Sequence, residues 1–167
     1  MMVRHPDFDI GSFLAERDRP ASVATVSERG RPALASMWYW FGDQRFWFHS
    51  PKAGPAPFLR AAAKGRLVSV MIETFNPAGR VIKLRSTGAA RIDAFDRERV
   101  VKIYDRYLAS TDAWNPEWNA QVDDDAYQLW SVEPTVGSAV QFPRLQDAGG
   151  TYRWRTVDEF ISAITAI

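Results

Sequence analysis

Residues 45–54 read Arg-Phe-Trp-Phe-His-Ser-Pro-Lys-Ala-Gly, and they decide the fold. Phe46, Trp47 and Phe48 follow one another with no polar residue between them, which suits a strand covered on both faces. Upstream, residues 33–41 (ALASMWYWF) read as another strand. Gly42-Asp43-Gln44 is a short turn that folds the two into a hairpin. Downstream the pattern changes from strand to helix over 55–64. Pro55 suits a first helical turn, Phe58, Leu59 and Ala62 share an inner face, and Gly65 suits the C-terminal cap.

The same reading extends outward. Residues 21–27 form a strand before the Gly30-Arg31-Pro32 turn. Residues 67–74 and 81–92 are the fourth and fifth strands, and two more cover about 127–132 and 136–142. Helices are expected at 9–17 behind Asp9, at 96–108 behind Asp96, and at 156–166, where Thr156-Val157-Asp158-Glu159 is a capping-box pattern. The intervening residues 110–125 read as a polar loop carrying Trp114 and Trp118: either one of the two lies near the mouth of a binding cleft, or each simply pins its loop to the barrel. About seven strands, mostly consecutive, predict a mostly β fold: one domain over residues 1–167, an antiparallel barrel decorated by helices.

Composition narrows the function. Twenty-one Lys and Arg against twenty Asp and Glu leave a net charge of +1, which argues against a general nucleic-acid binder. The absence of cysteine excludes disulfides and thiolate chemistry. No apolar run approaches the ~20 residues of a membrane span, and the N-terminus lacks a signal-like core, so a cytoplasmic protein is expected. Seven Trp imply large surfaces to bury, and Trp38, Trp40 and Trp47 are expected to lie partly under a partner subunit.

The usual catalytic constellations are missing. His5 and His49 are the two histidines, without metal-ligand spacing, and no nucleophile elbow, Walker loop or dinucleotide fingerprint occurs. No catalytic side chain and no metal ligand is therefore assigned. The junction after His49 is the suggestive feature. A strand-to-helix turn exposes backbone N–H groups that favour an anion, Ser50 adds a hydroxyl and Lys52 a charge. Lys83 and Arg85 alternate onto one face of the fifth strand and could complete a phosphate site. The plainer alternative is a loop lysine and a solvated strand face.

The order of pieces resembles a known family. Over residues 14–92 a strand, a Gly-Arg-Pro turn, an aromatic hairpin, FWFHSPKAG, a helix, GRLVSVMIE and VIKLRSTGAARI follow one another. This is similar to the pyridoxamine-phosphate-oxidase-like, FMN-binding split β-barrels, which include the flavin and deazaflavin oxidoreductases. The resemblance implies a homodimer with cofactor clefts between the barrels. It places the backbone of Ser36, Met37 and Trp38 along the flavin ring, Ser50 and Lys52 on the phosphate side, and Lys83 and Arg85 at the basic positions of the fifth strand. Gly88 would permit close strand packing. The chain departs from the family in having Pro51-Lys52 for a basic pair and Gly54-Pro55-Ala56-Pro57 for a more helical run, which weighs against vitamin B6 oxidation.

The expected function is a flavoprotein oxidoreductase using FMN, or alternatively the 8-hydroxy-5-deazaflavin coenzyme, on a small organic substrate. The alternative is a carrier or sensor without turnover, binding flavin or haem, with His49 as the candidate iron ligand. A barrel that holds no small molecule is the third reading.

Overall fold

The computed structural model describes residues 8–53, 57–75, 79, 81–108, 114–142 and 151–165. Among them nine strands join into one sheet, paired antiparallel throughout. One half comprises β1 (Ala21–Val26), β2 (Pro32–Met37), β5 (Leu67–Phe75), β6 (Val81–Ile92), β8 (Val136–Phe142) and β9 (Thr151–Trp154). The other comprises β3 (Trp40–Gly42), β4 (Arg45–Pro51) and β7 (Tyr127–Val132).

The long strand β6 joins the halves. Residues 81–87 pair with β8, whereas residues 90–92 pair with β7. Gly88 sits at the division, and a Cβ there would lie 1.7 Å from the Glu133 carbonyl oxygen. The turn between β7 and β8 can cross only because no side chain stands there, which is the packing role the sequence assigned to this glycine.

The single strand expected over 33–41 is two strands. β2 pairs with β1, β3 pairs with β4, and the chain changes sheet at Trp38-Tyr39. Tyr39 supplies the reason. Its N–H donates to the Tyr107 hydroxyl at 3.1 Å, and its own buried hydroxyl donates to the Leu14 carbonyl at 3.3 Å. Side-chain bonds replace the ladder where the strand breaks. The polar loop expected over 110–125 instead contains a helix, α4 (Pro116–Val122), with Pro116 at its start and Asn115 accepting from Glu117 N–H. β9 is a strand that the sequence pattern did not disclose.

Alternation fills the barrel. Val23, Val68, Val70, Ile72 and Leu84 point inward with Phe46, Phe48, Trp130 and Trp154, all fully buried. Each such side chain contributes about 1.5–3 kcal/mol of burial. α2 (Pro57–Ala63) closes one part of the barrel with Phe58, Ala61 and Ala62. Gly65 ends it at φ +62°, the left-handed cap expected there. The expected helix start at Pro55 lies outside the described residues. α1 (Ile10–Ala15), capped by Asp9, and α5 (Val157–Thr165) bring Ile10, Phe13 and Phe160 to the same core.

A second apolar cluster lies outside the barrel. α3 (Arg97–Asp105), capped by Asp96, and α4 pack Val100, Ile103, Tyr104 and Val122, with Trp114 from just before α4, over Trp47 and Leu129. Trp47 is 3% exposed in the single chain. Trp38 packs on Tyr104, Tyr107 and Trp118, and the Lys102 ammonium sits over the Trp40 ring. The chain's own helices therefore account for much of the tryptophan burial that was expected of a partner. No helix among the described residues is long and apolar enough to cross a membrane.

Candidate functional site

β4 sets up the site by simple alternation. Phe46 and Phe48 enter the barrel, so Trp47 and His49 face outward beneath α3. The next residue, Ser50, turns back toward the barrel and meets the Trp130 indole N–H at 3.0 Å. An indole can only donate, so the Ser50 oxygen accepts and its own hydrogen is free to donate elsewhere.

Where β4 ends, a cleft of about 440 Å³ opens. One wall is the end of β2, with Ser36, Met37 and Trp38. The floor carries His49, Ser50, Phe58 and Leu59, and the far wall carries Tyr104, Trp118, Gln121 and Tyr127. No carboxylate, Lys or Arg is among the described residues that line it. Aromatic contacts knit the walls together. Trp38 stacks on Tyr107 with centroids 4.8 Å apart and rings within 6° of parallel, and Trp118 lies 4.9 Å from Trp38.

His49 is held firmly. Its ring stacks on Tyr127 at 5.2 Å, and Nδ1 lies 3.0 Å from the Tyr104 hydroxyl. Burial pushes its pKa down to about 4, against a smaller opposing pull from Asp124, so the ring is neutral near pH 7. Burial likewise raises the Tyr104 hydroxyl, which stays protonated. The tautomer then decides the chemistry. With the Tyr104 O–H donating to Nδ1, Nε2 carries hydrogen and is a donor. With Nδ1–H donating to Tyr104, Nε2 keeps a lone pair that can ligate a metal.

Five of the eight residues singled out from sequence line this cleft: Ser36, Met37, Trp38, His49 and Ser50. Lys52 lies just beyond it, exposed, its backbone N–H fixed to the Ala126 carbonyl at 2.8 Å. Lys83 and Arg85 do not join them within one chain. Both stand on the outer face of β6, where Lys83 makes an exposed ion pair with Glu73 at 3.2 Å. The register runs Ser36, Ser22, Met71, Arg85 across β2, β1, β5 and β6. Three strand spacings put Ser36 and Arg85 roughly 14 Å apart, beyond the reach of one side chain.

Sequence reasoning missed Tyr104, Gln121 and Tyr127 as cleft residues. Tyr104 belongs to the apolar stripe of α3 and reads as core, which it also is. Trp118 lines the cleft as one of the two tryptophans expected near its mouth, whereas Trp114 packs against Tyr104 in the outer cluster. Asn115-Pro116 was the signal for α4, because an Asn cap followed by Pro is a helix start.

No family model and no curated protein sequence matches the chain. Solved structures do. A haem storage protein from Vibrio cholerae, HutZ, superimposes with a TM-score of 0.58 at 16% identity, covering 78% of this chain and 90% of that one. A protein of the pyridoxinephosphate oxidase family from Clostridium acetobutylicum, related to general stress protein 26, gives 0.58 at 14% identity over 89% and 93%. A putative 5-nitroimidazole antibiotic resistance protein from Bacteroides thetaiotaomicron gives 0.54 at 14% identity over 78% and 80%. At these identities the likeness concerns architecture, and it agrees with the division of the sheet at Gly88 and the helices set around it: the chain has the split β-barrel fold of the pyridoxinephosphate-oxidase-like proteins.

Proposed function

We propose that this chain is a flavin- or deazaflavin-dependent oxidoreductase acting on a small, planar organic substrate, with its cofactor in the cleft at the end of β4. The observation that carries the reading is the cleft itself. A β-strand end with Ser36, Met37 and Trp38 faces an aromatic wall containing Trp118 and Tyr127. Such a slot suits a flat ring, since stacking acts on its faces and backbone groups can meet its polar edge. The free hydrogen of Ser50 and the nearby Lys52 are donors of the kind a phosphate needs. Two of the similar proteins are a pyridoxinephosphate oxidase family member and a nitroimidazole resistance protein, which supports an oxidoreductase.

When bound, the isoalloxazine or deazaflavin ring supplies the hydride and electron chemistry. The chain's residues position that ring, with Trp118 and Gln121 on the far wall of the cleft. His49, neutral near pH 7, offers one hydrogen bond to the ring or substrate. Lys83 and Arg85 fit the reading if the protein is a homodimer. On the outer face of the sheet Leu34 is 75% exposed and Leu67 66%, with Ala24, Ser69 and Thr87 making a flat path from Leu34 to Val136. Pairing two such faces would cover the apolar side chains and bring the partner's basic strand toward the cleft.

A haem-binding reading has its own support. His49 is neutral and partly buried in the cleft, its Nδ1 can be tied to Tyr104, and HutZ is described as a haem storage protein. Titrating the purified chain with FMN, the deazaflavin coenzyme and haemin separates the readings. Quenched flavin fluorescence at about one ligand per chain is expected. A shifted Soret band lost in His49→Ala, with no flavin bound, would replace the flavin with haem. Sedimentation at micromolar concentration should give twice the chain mass, and a mass of one chain would remove the shared-site model.

A further inference from the structure

A second cleft lies on the other side of α3, and its chemistry is unlike that of the first. It occupies about 530 Å³ between α1, β3, α3 and the end of α5. Leu14, Phe41 and Ile164 make an apolar floor, Trp40 forms a wall, and the rim carries Arg17, Lys102 and Arg106 against a single carboxylate, Asp105. That volume lies within the ~300–1,000 Å³ of small-molecule sites.

Arg106 is the telling residue. It is 8% exposed, its guanidinium lies over the Tyr39 ring at 4.5 Å, and one terminal nitrogen donates to the Glu16 carbonyl at 2.7 Å. Its Nε is buried with no hydrogen-bond partner among the described residues. That donor lies out of solvent's reach, so what Arg106 offers the cleft it lines is the fixed charge of its guanidinium. Arg17 reinforces the charge. It donates to the Asp105 and Leu108 carbonyls, which holds it at the end of α3. Lys102 is shared between Glu98 at 2.6 Å and the face of Trp40 at 4.8 Å.

We infer that this cleft is a binding site for a small amphiphilic anion, a carboxylate carried on an apolar body, independent of whatever fills the first cleft. The apolar body would lie on Leu14, Phe41 and Ile164 beside Trp40, and the carboxylate would meet Arg106 and its neighbours at the rim. Even with Glu98 beside Lys102, three cations outnumber the two nearby carboxylates and favour an anion, and a planar carboxylate matches the forked donors of a guanidinium. The cleft shares no lining residue with the flavin site.

Octanoate and 1-octanol, an uncharged counterpart, test the inference by calorimetry on the intact protein. Octanoate should bind at least about ten-fold more tightly than 1-octanol. Lys102→Glu, at a part-exposed position, should weaken octanoate about ten-fold while changing 1-octanol less than about two-fold. Ala15→Trp, at an exposed helical position on the rim, should abolish binding of both without changing the circular dichroism spectrum. Equal affinity for the acid and the alcohol would overturn the inference. So would no octanoate binding up to millimolar concentration, or octanoate binding that neither substitution alters in a folded variant.

Discussion

Phe48 and His49 are neighbours in the chain, but the pleat sends them into different surroundings. Phe48 is fully buried in the barrel, stacked on Trp130 at 4.7 Å. His49 lies between Tyr127 and Tyr104, on the wall of an open cleft. From Phe46 to His49 one face of β4 thus belongs to the barrel core and the other to the surroundings that α3 and α4 complete, and at Ser50 the barrel face too reaches the cleft. The difference teaches that stability and recognition are separable here, because substitutions on the two faces should act on different observables.

The largest expected effect is inside the barrel. Trp130→Ala removes a fully buried ring and the hydrogen bond to Ser50, and should cost about 3–5 kcal/mol. Thermal unfolding should show a fall in Tm of roughly 10 °C or more. A fall of only a few degrees would mean that the interior repacks and the contrast between the faces is weaker than drawn.

Next come the charges outside the cleft. Arg85→Ala and Lys52→Ala are exposed positions and should leave Tm nearly unchanged. Each should weaken FMN binding about ten-fold or more, from the ~1.5–3 kcal/mol usual for one charge-assisted hydrogen bond. Arg85 is the sharper case, because its own chain holds it away from the cleft. Mixing Arg85→Ala with Trp118→Ala subunits should restore one tight site per mixed dimer, whereas a cleft built from one chain would gain nothing from mixing.

The smallest effect is on pH. His49 titrates at about 4 when folded and near its ordinary 6.5 when unfolded, so between these values the unfolded chain binds the extra proton. Stability should therefore decline as pH falls from about 6.5 toward 4 and be flat, as far as His49 is concerned, above that window. Solvent at the cleft moderates the effect. Comparing Tm for wild type and His49→Gln at pH 7 and pH 5 isolates it. The wild type should lose more than the variant, and identical losses would show that the ring is not protected from protonation.

Much of the fold is legible in the sequence because its strands carry strong local signals. β6 has the bounds read from its pattern, and Asp9, Asp96 and Thr156 cap the helices they were expected to cap. The break after Met37 was illegible because it depends on Tyr107, a residue 68 positions away in the chain, taking the N–H of Tyr39. β9 hides because Tyr152 and Trp154 alternate with Thr151 and Arg153 over only four residues, too short a run to announce itself. For the cleft, the residues on β2 and β4 could be found because they follow a strand pattern. Tyr104, Gln121 and Tyr127 could not, since which face of α3 and α4 meets β4 is a tertiary matter. Lys83 and Arg85 were placed correctly on one strand face, but which side of the barrel that face occupies depends on closure of the sheet.

The most direct test of the separation between the faces is the FMN dissociation constant of Trp118→Ala, measured by flavin fluorescence well below its melting temperature. Trp118 lines the cleft and packs on Trp38 and Tyr104, outside the barrel core. The expected result is a dissociation constant about ten-fold or more above wild type, since ring stacking contributes ~0.5–1.5 kcal/mol beyond the area buried. An affinity equal to that of the wild type would contradict the assignment of this cleft to the cofactor.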